Sequence, residues 1–424
     1  MPNLTLDFAD ISLADIPRVG GKNASLGQLF NRLKPLGLGV LDGFALTAQA
    51  YRDFLDATGL RARIEAKLAG LRPENLAALA MCGAECRRMI LAEPIPSFIA
   101  TEIHDAYKRL MHRLNRTAEM AVRSSATVED LPDASFAGQQ ETFLNVSGEA
   151  ALLQSIRACF ASCFTDRAIS YRARHNYDHL SAAVSVGVQP MVRSDKATSG
   201  IIFTLDPESG FRDVTVVAGS YGLGEYIVQG VVNPDEWIVF KPTLPTATCP
   251  IVSRRLGSKE LRLVYATGQQ TTIREAVPIE ARSTFCLTDA EVLTLARWAG
   301  QVEAHYSAVN GHPTPMDLEW AKDGITGELF IVQARPETVH SARKPSYTQQ
   351  LFTLTPTAAK PIVTGQAVGE RIATGPVRVV RDPADLAKVQ PGEVLVAPQT
   401  DPDWEPVMKR IAAIVTDHGG RTAH

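Results

Sequence analysis

The chain has 424 residues, of which 45% are hydrophobic and 21% charged, and its formal net charge is −3. This length exceeds what one hydrophobic core usually serves, so we expect two to four domains of ordinary soluble type. The charge excludes the basic footprint of a nucleic-acid-binding protein, and no apolar run reaches the length of a membrane span. Residues 1–7 lack the pattern of a signal peptide, so we expect a cytoplasmic protein.

Helical periodicity dominates the first third of the chain. Leu26, Leu29, Phe30 and Leu33 are spaced as the apolar face of a helix. The same kind of pattern predicts further helices over residues 75–91, 97–114 and 148–174.

Strand-like runs follow, interrupted by one predicted helix over residues 289–306. The predicted strands are 119–123, 184–192, 200–204, 214–218, 236–240, 316–321 and 329–334. Helices followed by strands of antiparallel type indicate an α+β fold rather than a wound parallel sheet. Residues 336–361 lose this periodicity and are rich in Pro, Thr, Ser and Gln, which predicts a linker before a further unit that begins near Gly365.

The six cysteines predict no metal or disulfide chemistry. Two pairs are one helical turn apart, none forms a C-x-x-C motif, and no histidine lies at zinc-finger spacing. We expect small buried thiols in a reducing compartment.

A glycine pair before a lysine, Gly20-Gly21-Lys22, precedes the first helical stripe. Glycines let a ligand approach the backbone, lysine supplies a point charge for phosphate, and a helix start offers N–H groups to an anion. A loop that merely caps a helix would use the same residues, so the motif alone leaves both interpretations open.

Two further segments are typical of phosphate sites. Arg123 ends a predicted strand and is followed by Ser124 and Ser125, which together can bind phosphate oxygens. The small residues within 135–139 suit a flap over the phosphates, and the turn 221–224, Tyr-Gly-Leu-Gly, suits a turn near a ligand. A surface salt bridge at Arg123 and an ordinary structural turn at 221–224 are the alternatives.

A more specific arrangement comes from two strands. Asp317 and Glu319 alternate on one predicted strand, and Gln333 and Arg335 alternate on the next, so each pair shares a face. If the strands pair, one surface carries two carboxylates, an amide and a guanidinium. Mg²⁺ takes one or two carboxylates plus substrate phosphates, so this surface predicts a Mg²⁺-nucleotide site, with a solvated polar face as the alternative.

The last motif is residues 419–424, Gly-Gly-Arg-Thr-Ala-His. A glycine pair, a guanidinium, a hydroxyl and an imidazole suit a phosphoryl carrier at His424. As the last of these residues, His424 also carries the α-carboxylate, and a nearby anion disfavours attack on phosphate. We therefore expect labelling of His424 to be slow or absent in these 424 residues alone.

Together these segments resemble the phosphoenolpyruvate synthase family, also called pyruvate, water dikinase, along essentially the whole chain. Residues 400–408, which include Asp401-Pro402-Asp403-Trp404, resemble the synthases more closely than rifampicin phosphotransferase or glucan water dikinase. Those dikinases, and a non-catalytic ATP-binding module, remain the alternatives. The chain departs from the family pattern at Asp417-His418 and at Ala423.

The resemblance implies an ATP-grasp-like nucleotide-binding domain over residues 1–340, a linker over 341–364, and an incomplete swivelling β/β/α phosphohistidine domain over 365–424. It implies that Lys22, Arg123 and Arg335 bind ATP, that Glu319 and Gln333 bind Mg²⁺ or phosphates, and that His424 is the phosphorylated nucleophile.

The implied reaction converts ATP, pyruvate and water to AMP, phosphoenolpyruvate and phosphate. In the family, pyruvate is bound by a C-terminal barrel that these residues do not include, so pyruvate is expected to act only through such a domain or a separate chain. A homodimer stays open, and neither nucleic acid nor membrane is an expected partner.

Overall fold

The computed structural model describes residues 3–71, 76–127, 130–131, 134–135, 142–174, 177–246, 249–266, 272–338, 340–341, 352–353, 360–369, 371–400, 404–408 and 410–418. The chain divides into two compact units. Unit 1 comprises residues 1–192, 265–273 and 330–335, and unit 2 comprises 193–264, 274–329 and 336–424.

Helices and strands cover most of the described chain. The helices are α1 Ile16–Gln28, α2 Ala48–Ala57, α3 Leu60–Leu68, α4 Leu76–Ala92, α5 Ser97–Leu114, α6 Glu149–Ser162, α7 Asp166–Arg174, α8 Glu225–Val228, α9 Ile279–Arg282, α10 Asp289–Asn310 and α11 Glu405–Met408. The strands are β1 Thr5–Asp7, β2 Phe44–Leu46, β3 Met120–Ala126, β4 Asp130–Leu131, β5 Ala134–Ser135, β6 Thr142–Val146, β7 Val184–Pro190, β8 Thr198–Phe203, β9 Val214–Tyr221, β10 Asp235–Phe240, β11 Ile251–Arg255, β12 Leu261–Tyr265, β13 Thr272–Ala276, β14 Met316–Lys322, β15 Leu329–Pro336, β16 Val377–Val379, β17 Val394–Ala397 and β18 Ala413–Thr416.

A five-stranded antiparallel sheet forms the centre of unit 1. Its strand order is β1-β2-β7-β3-β6. Side chains alternate between the two faces of a strand, and β7 shows this clearly. Val184, Val186 and Val188 belong to the large core that includes residues of α2 to α6, whereas Ser185 and Gly187 face the other way.

Helix α1 covers the second face of this sheet. It packs against β7 and β3, and its residues Val19, Ala24 and Leu26 form a smaller core with Phe8 and Ile11. The face beneath α1 is largely polar along β3 and β7, which is unusual for the interior of a sheet and marks the place where a polar ligand could be bound.

Unit 2 contains a second antiparallel sheet, in which strands are neighbours in the order β11-β10-β9-β8-β14. Helix α10 packs against β8, β9, β10 and β14. The helix begins with a capping box, because Thr288 accepts from the Glu291 N–H while the Glu291 carboxylate accepts from the Thr288 N–H. It ends at Gly311 in the left-handed conformation.

A fully buried ion pair joins three segments of unit 2. The Lys259 Nζ lies 2.5 Å from Asp235 Oδ1, and both side chains are 0% exposed. The carboxylate also accepts from the N–H groups of Gly257 and Cys286, each at 2.8 Å. Lys259 itself has a left-handed φ of 41°. The buried carboxylate is therefore fully supplied with donors, as a charge inside a protein requires.

The C-terminal part of unit 2 contains a small parallel sheet of order β16-β17-β18. It has its own apolar core, formed by Val380, Val389, Leu395, Ala397, Trp404 and Val407. This separate core is consistent with the additional unit that the sequence predicts after Gly365, while the boundaries 1–340, 341–364 and 365–424 stay predictions.

The cysteine prediction holds only in part. All six cysteines are free; Cys86, Cys159 and Cys286 are buried, and Cys82 and Cys163 are half-buried. It is wrong for Cys249, which is exposed and has a left-handed φ of 43°. No helix in the described part of the chain combines the length and apolar character that a membrane crossing needs.

His179 should make the stability of unit 1 fall in acid. Its Nδ1 accepts from Arg172 Nε at 3.3 Å, which requires an unprotonated nitrogen. Burial, and then the charge of Arg172, lower the pKa of His179 below its ordinary value of 6.5, while nearby Asp178 raises it slightly. The folded state thus binds fewer protons than the unfolded state, so stability is complete above pH 6.5 and falls as the pH drops through the folded pKa.

This expectation is measured as the free energy of urea unfolding from about pH 5 to 8, the range in which histidines titrate. His179→Gln keeps an acceptor but cannot titrate, so it should flatten the acid limb. His312→Gln, at an exposed histidine, is the matched control. Parallel curves for wild type and His179→Gln would contradict the expectation.

Candidate functional site

A small pocket in unit 1 lies between α1 and the sheet. Its lining comes from α1, β3, β7 and β15, in parts of the chain that all belong to unit 1. The lining residues are Lys22, Asn23, Leu26, Arg123, Gly187, Gln189 and Gln333. Three of the residues selected from sequence alone, Lys22, Arg123 and Gln333, thus meet at one place although about 300 residues separate the first from the last.

The glycine pair ahead of Lys22 positions α1. Gly20 has φ 73° and ψ 166°, so the helix is interrupted there and resumes towards Lys22. A Cβ at Gly20 would lie 2.6 Å from the Ser125 carbonyl oxygen and 2.8 Å from that of Ala126. The sequence predicts that a ligand approaches the backbone closely at these glycines. At Gly20 the close contact is made instead by β3, and it allows α1 to pack directly on the sheet.

Arg123 organises the wall formed by β15. Its Nη1 donates to the Val332 carbonyl at 3.0 Å, and its Nη2 donates to Gln333 Oε1. The alternative of an exposed arginine does not fit, since Arg123 is half-buried and its guanidinium donates to β15. The amide oxygen that the sequence assigns to Mg²⁺ is bonded to this guanidinium, and the metal role of Gln333 stays a prediction.

The strand segment that carries Gln333 is attached by further contacts within unit 1, to α1 and to the segment that precedes β2. Ser25 Oγ donates to the Ala334 carbonyl at 2.7 Å, and the Ile331 N–H donates to the Gly39 carbonyl at 2.8 Å. Arg335 lies two residues after Gln333 and is half-buried on the same strand face. Its assignment to ATP therefore remains open to test.

Four of the lining residues were not selected as site residues from the sequence: Asn23, Leu26, Gly187 and Gln189. Gln189 is 4% exposed, and its Oε1 accepts no hydrogen bond from any described residue. A signal was present, because Ser185, Gly187 and Gln189 alternate with three valines. A polar stripe at period two marks a strand face that does not enter an apolar core.

The charge of the pocket is positive. Lys22 and Arg123 both line it, and no carboxylate is among the described residues that do so. A bidentate guanidinium and a lysine ammonium are the groups that proteins use for phosphate oxygens. The arrangement therefore suits an anionic ligand that also has hydrogen-bond donors for the Gln189 oxygen.

The two candidate carboxylates lie in unit 2. Asp317 and Glu319 are half-buried on β14 and share a face, since Leu318 and Trp320 between and beside them are buried. Among the described residues no group of three or more His, Cys, Asp or Glu side chains could hold a metal. Two carboxylates on one face still fit Mg²⁺, which takes its remaining ligands from substrate phosphates and water. Their proximity to Gln333, which is in unit 1, stays a prediction.

The Gly222 turn is structural. Gly222 has φ 85°, and a Cβ there would lie 2.6 Å from the Leu263 carbonyl oxygen. The Leu223 N–H donates to that same carbonyl, and Ser199 Oγ donates to the Gly222 carbonyl. The turn thus joins β9 to β12 and needs its glycine for that contact.

Two predicted elements lie outside the described residues. One is most of the proposed flap at 135–139, and the other is the segment 419–424 with Arg421 and His424. The role of His424 as phosphoryl carrier stays a prediction.

Comparison with known proteins gives two family matches. Residues 16–354 match the family described as pyruvate phosphate dikinase, AMP/ATP-binding domain, and residues 389–424 match the PEP-utilising enzyme, mobile domain.

Individual relatives agree with these matches. The chain is 50% identical to a phosphoenolpyruvate synthase of Aquifex aeolicus, over 99% of this chain and 50% of that protein. It is 49% identical to a phosphoenolpyruvate synthase of Escherichia coli over 99% of this chain and 52% of that protein. It is also 38% identical to a probable phosphoenolpyruvate synthase of Methanocaldococcus jannaschii, over 97% of this chain and 33% of that protein. The chain spans about half the length of the first two of these relatives.

Proposed function

Since the chain belongs to the pyruvate phosphate dikinase AMP/ATP-binding domain family, we propose that it carries out the ATP-dependent half of a phosphoenolpyruvate synthase reaction. The observation that carries this proposal is the meeting of Lys22, Arg123 and Gln333 in one pocket, whose lining includes no carboxylate among the described residues. In this proposal unit 1 binds the nucleotide in an ATP-grasp-like manner, with Lys22 and Arg123 on phosphate oxygens and Arg335 beside them.

Magnesium would be held by Glu319, with Gln333 and the nucleotide phosphates as further ligands. The ion would neutralise charge on the phosphates and orient them for in-line attack. Its donors in the protein, a carboxylate and an amide oxygen, are the hard oxygen ligands that Mg²⁺ prefers.

The transfer step needs a nucleophile, and His424 is the candidate. A neutral imidazole nitrogen of His424 would attack the β-phosphorus; the new N–P bond replaces the bond between that phosphorus and the oxygen bridging to the α-phosphate, and AMP leaves. The imidazole loses its N–H proton to solvent. Water then releases one phosphate, and the remaining phosphoryl group is passed to the enolate of pyruvate. Pyruvate would be bound by a domain or chain beyond these 424 residues, as the relatives' greater length suggests.

Nucleotide binding is tested by calorimetry with Mg·ATP on the whole chain. Lys22→Ala should weaken binding by about tenfold or more, because a charged hydrogen bond to phosphate is lost. Lys388→Ala is the matched control, since Lys388 is an exposed lysine paired with Asp385. A folded wild-type protein that binds no Mg·ATP would refute the proposed function.

Phosphoryl transfer is tested separately with ATP labelled at the β-phosphate. The label should enter the protein, and His424→Asn should abolish its incorporation. Equal labelling of wild type and His424→Asn would place the carrier elsewhere. Binding of Mg·ATP without any labelling would favour a non-catalytic ATP-binding module.

Glu319→Gln should raise the Mg²⁺ concentration needed for ATP binding, because a neutral amide is a weaker ligand for a hard cation than a carboxylate. Affinity should recover at saturating Mg²⁺. The measurement is a Mg²⁺ titration at fixed ATP, with Glu328→Gln at an exposed carboxylate as control. An unchanged Mg²⁺ dependence would contradict the metal role of Glu319.

A further inference from the structure

Helix α1 rests on the sheet at two points. One is Gly20 against the Ser125 and Ala126 carbonyls of β3, and the other is Asn23 against Gly187 of β7. Gly187 is the cross-strand partner of Arg123 in the register of β3 and β7. The contact between Asn23 and Gly187 is therefore directly beside Arg123 in the sheet.

The Asn23 side chain fills the space that a side chain at position 187 would need. The three heavy atoms nearest to a Cβ built on Gly187 are Oδ1, Cγ and Nδ2 of Asn23, with Cγ at 3.1 Å and Nδ2 at 3.5 Å. Gly187 has no left-handed φ, so its backbone could accept any residue. A side chain at position 187 would therefore have to displace the Asn23 amide.

Asn23 is also fixed by directed hydrogen bonds. It is 1% exposed, and its Nδ2 donates to the Val19 carbonyl at 3.1 Å and to Ser185 Oγ at 3.0 Å. Ser185 Oγ in turn donates to the Leu46 carbonyl at 2.7 Å. The amide thus connects α1 to β7 and, through Ser185, to β2. Only an amide of this length supplies both donors, because an aspartate carboxylate has none.

We propose that Asn23 is a positioning residue of the nucleotide site. Its contact with Gly187 sets the distance between α1 and the sheet, and so places the neighbouring Lys22 in the pocket with Arg123. The inference rests on the proposed binding of ATP, because the position of Lys22 has a functional meaning only if phosphate is bound there. A displacement of about 1 Å is enough to weaken a charged hydrogen bond substantially.

Calorimetry with Mg·ATP on single and double variants of the whole chain tests this. Gly187→Ala should weaken ATP binding about tenfold by forcing Asn23 away, and Asn23→Ala should do the same by removing the contact. Since the three atoms nearest to a Cβ at position 187 all belong to Asn23, Gly187→Ala should cost little more in an Asn23→Ala background. Asn23→Ala should likewise cost little in a Lys22→Ala background, because Asn23 acts through Lys22.

Gly300→Ala is the matched control for a glycine substitution, since a Cβ there meets nothing within 4 Å. Thermal unfolding of each variant separates positioning from folding. Variants that unfold at lower temperature but bind Mg·ATP as wild type does when folded would overturn the inference, as would additive losses in the Asn23 and Gly187 pair. If Gly187→Ala does not fold, Asn23→Ala with and without Lys22→Ala decides the matter. A wild-type chain that binds no Mg·ATP would overturn the proposed function, and this inference with it.

Discussion

Lys259→Met should lower the free energy of unfolding of unit 2 by about 3–5 kcal/mol, the usual cost of removing one partner from a buried ion pair. The loss is large because Asp235 would remain 0% exposed with only the N–H groups of Gly257 and Cys286 as donors. Two neutral donors do not replace an ammonium beside a buried carboxylate. Lys259→Met/Asp235→Leu should be milder, because no charge is then left uncompensated.

The measurement is equilibrium unfolding in urea. Arg254→Met is the matched control, because Arg254 pairs with Asp289 where the side chains are 41% and 58% exposed. Solvent screens such a pair, so its loss should cost no more than about 1 kcal/mol. Equal destabilisation by Lys259→Met and Arg254→Met would show that the buried pair makes no special contribution.

Gly20→Ala should destabilise unit 1 by about 2–4 kcal/mol and abolish binding of Mg·ATP, because it combines a left-handed φ with overpacking. The new methyl would lie 2.6 Å from the Ser125 carbonyl oxygen, so α1 would have to move off β3. Gly148→Ala separates the two effects: Gly148 has nearly the same backbone conformation as Gly20, with φ 80° and ψ 164°, but a Cβ there meets nothing within 4 Å. If both variants lost the same stability in urea, the contact with β3 would carry no energy.

Long periodic elements were predictable from sequence. Residues 97–114 are helix α5 as predicted, and the helix predicted over 75–91 is observed as Leu76–Ala92. The strand predicted over 316–321 is observed as Met316–Lys322. These segments bury one face over several turns or residues, so the apolar spacing alone specifies them. The antiparallel pairing of β8, β9, β10 and β14 confirms the mixed α+β class.

Short elements were missed because their conformation depends on neighbours rather than on local pattern. Strand β2 has three residues, Phe44–Leu46, all buried between β1 and β7. The edge strand β11 is largely exposed and has little apolar alternation. The beginning of α1 was also missed, since a short helical turn that is separated from the rest of α1 by a non-helical Gly20 has no signature in sequence.

Residue chemistry selected Lys22, Arg123 and Gln333 from three patterns: a lysine after two glycines, an arginine before two serines, and an amide that alternates with an arginine on a strand. The same reasoning could not select Asn23 or Gly187, whose role depends on the register of β3 against β7. Register is a tertiary property that a single sequence does not display. For Glu319, Arg335 and His424 the chemical argument stands, and the variants and labels proposed above are its test.

Unit 1 is discontinuous along the chain, and this has a consequence for its synthesis on the ribosome. Residues 330–335 include Gln333. They emerge only after residues 193–264 and 274–329 of unit 2 have been made. Roughly 140 residues separate them from the end of the first segment, a delay of roughly 10–30 s at common translation rates of about 5–20 residues per second. Through that interval unit 1 lacks the segment whose Val332 carbonyl accepts from Arg123. The pocket is therefore completed late and by a long-range closure, which is the slow kind of folding step.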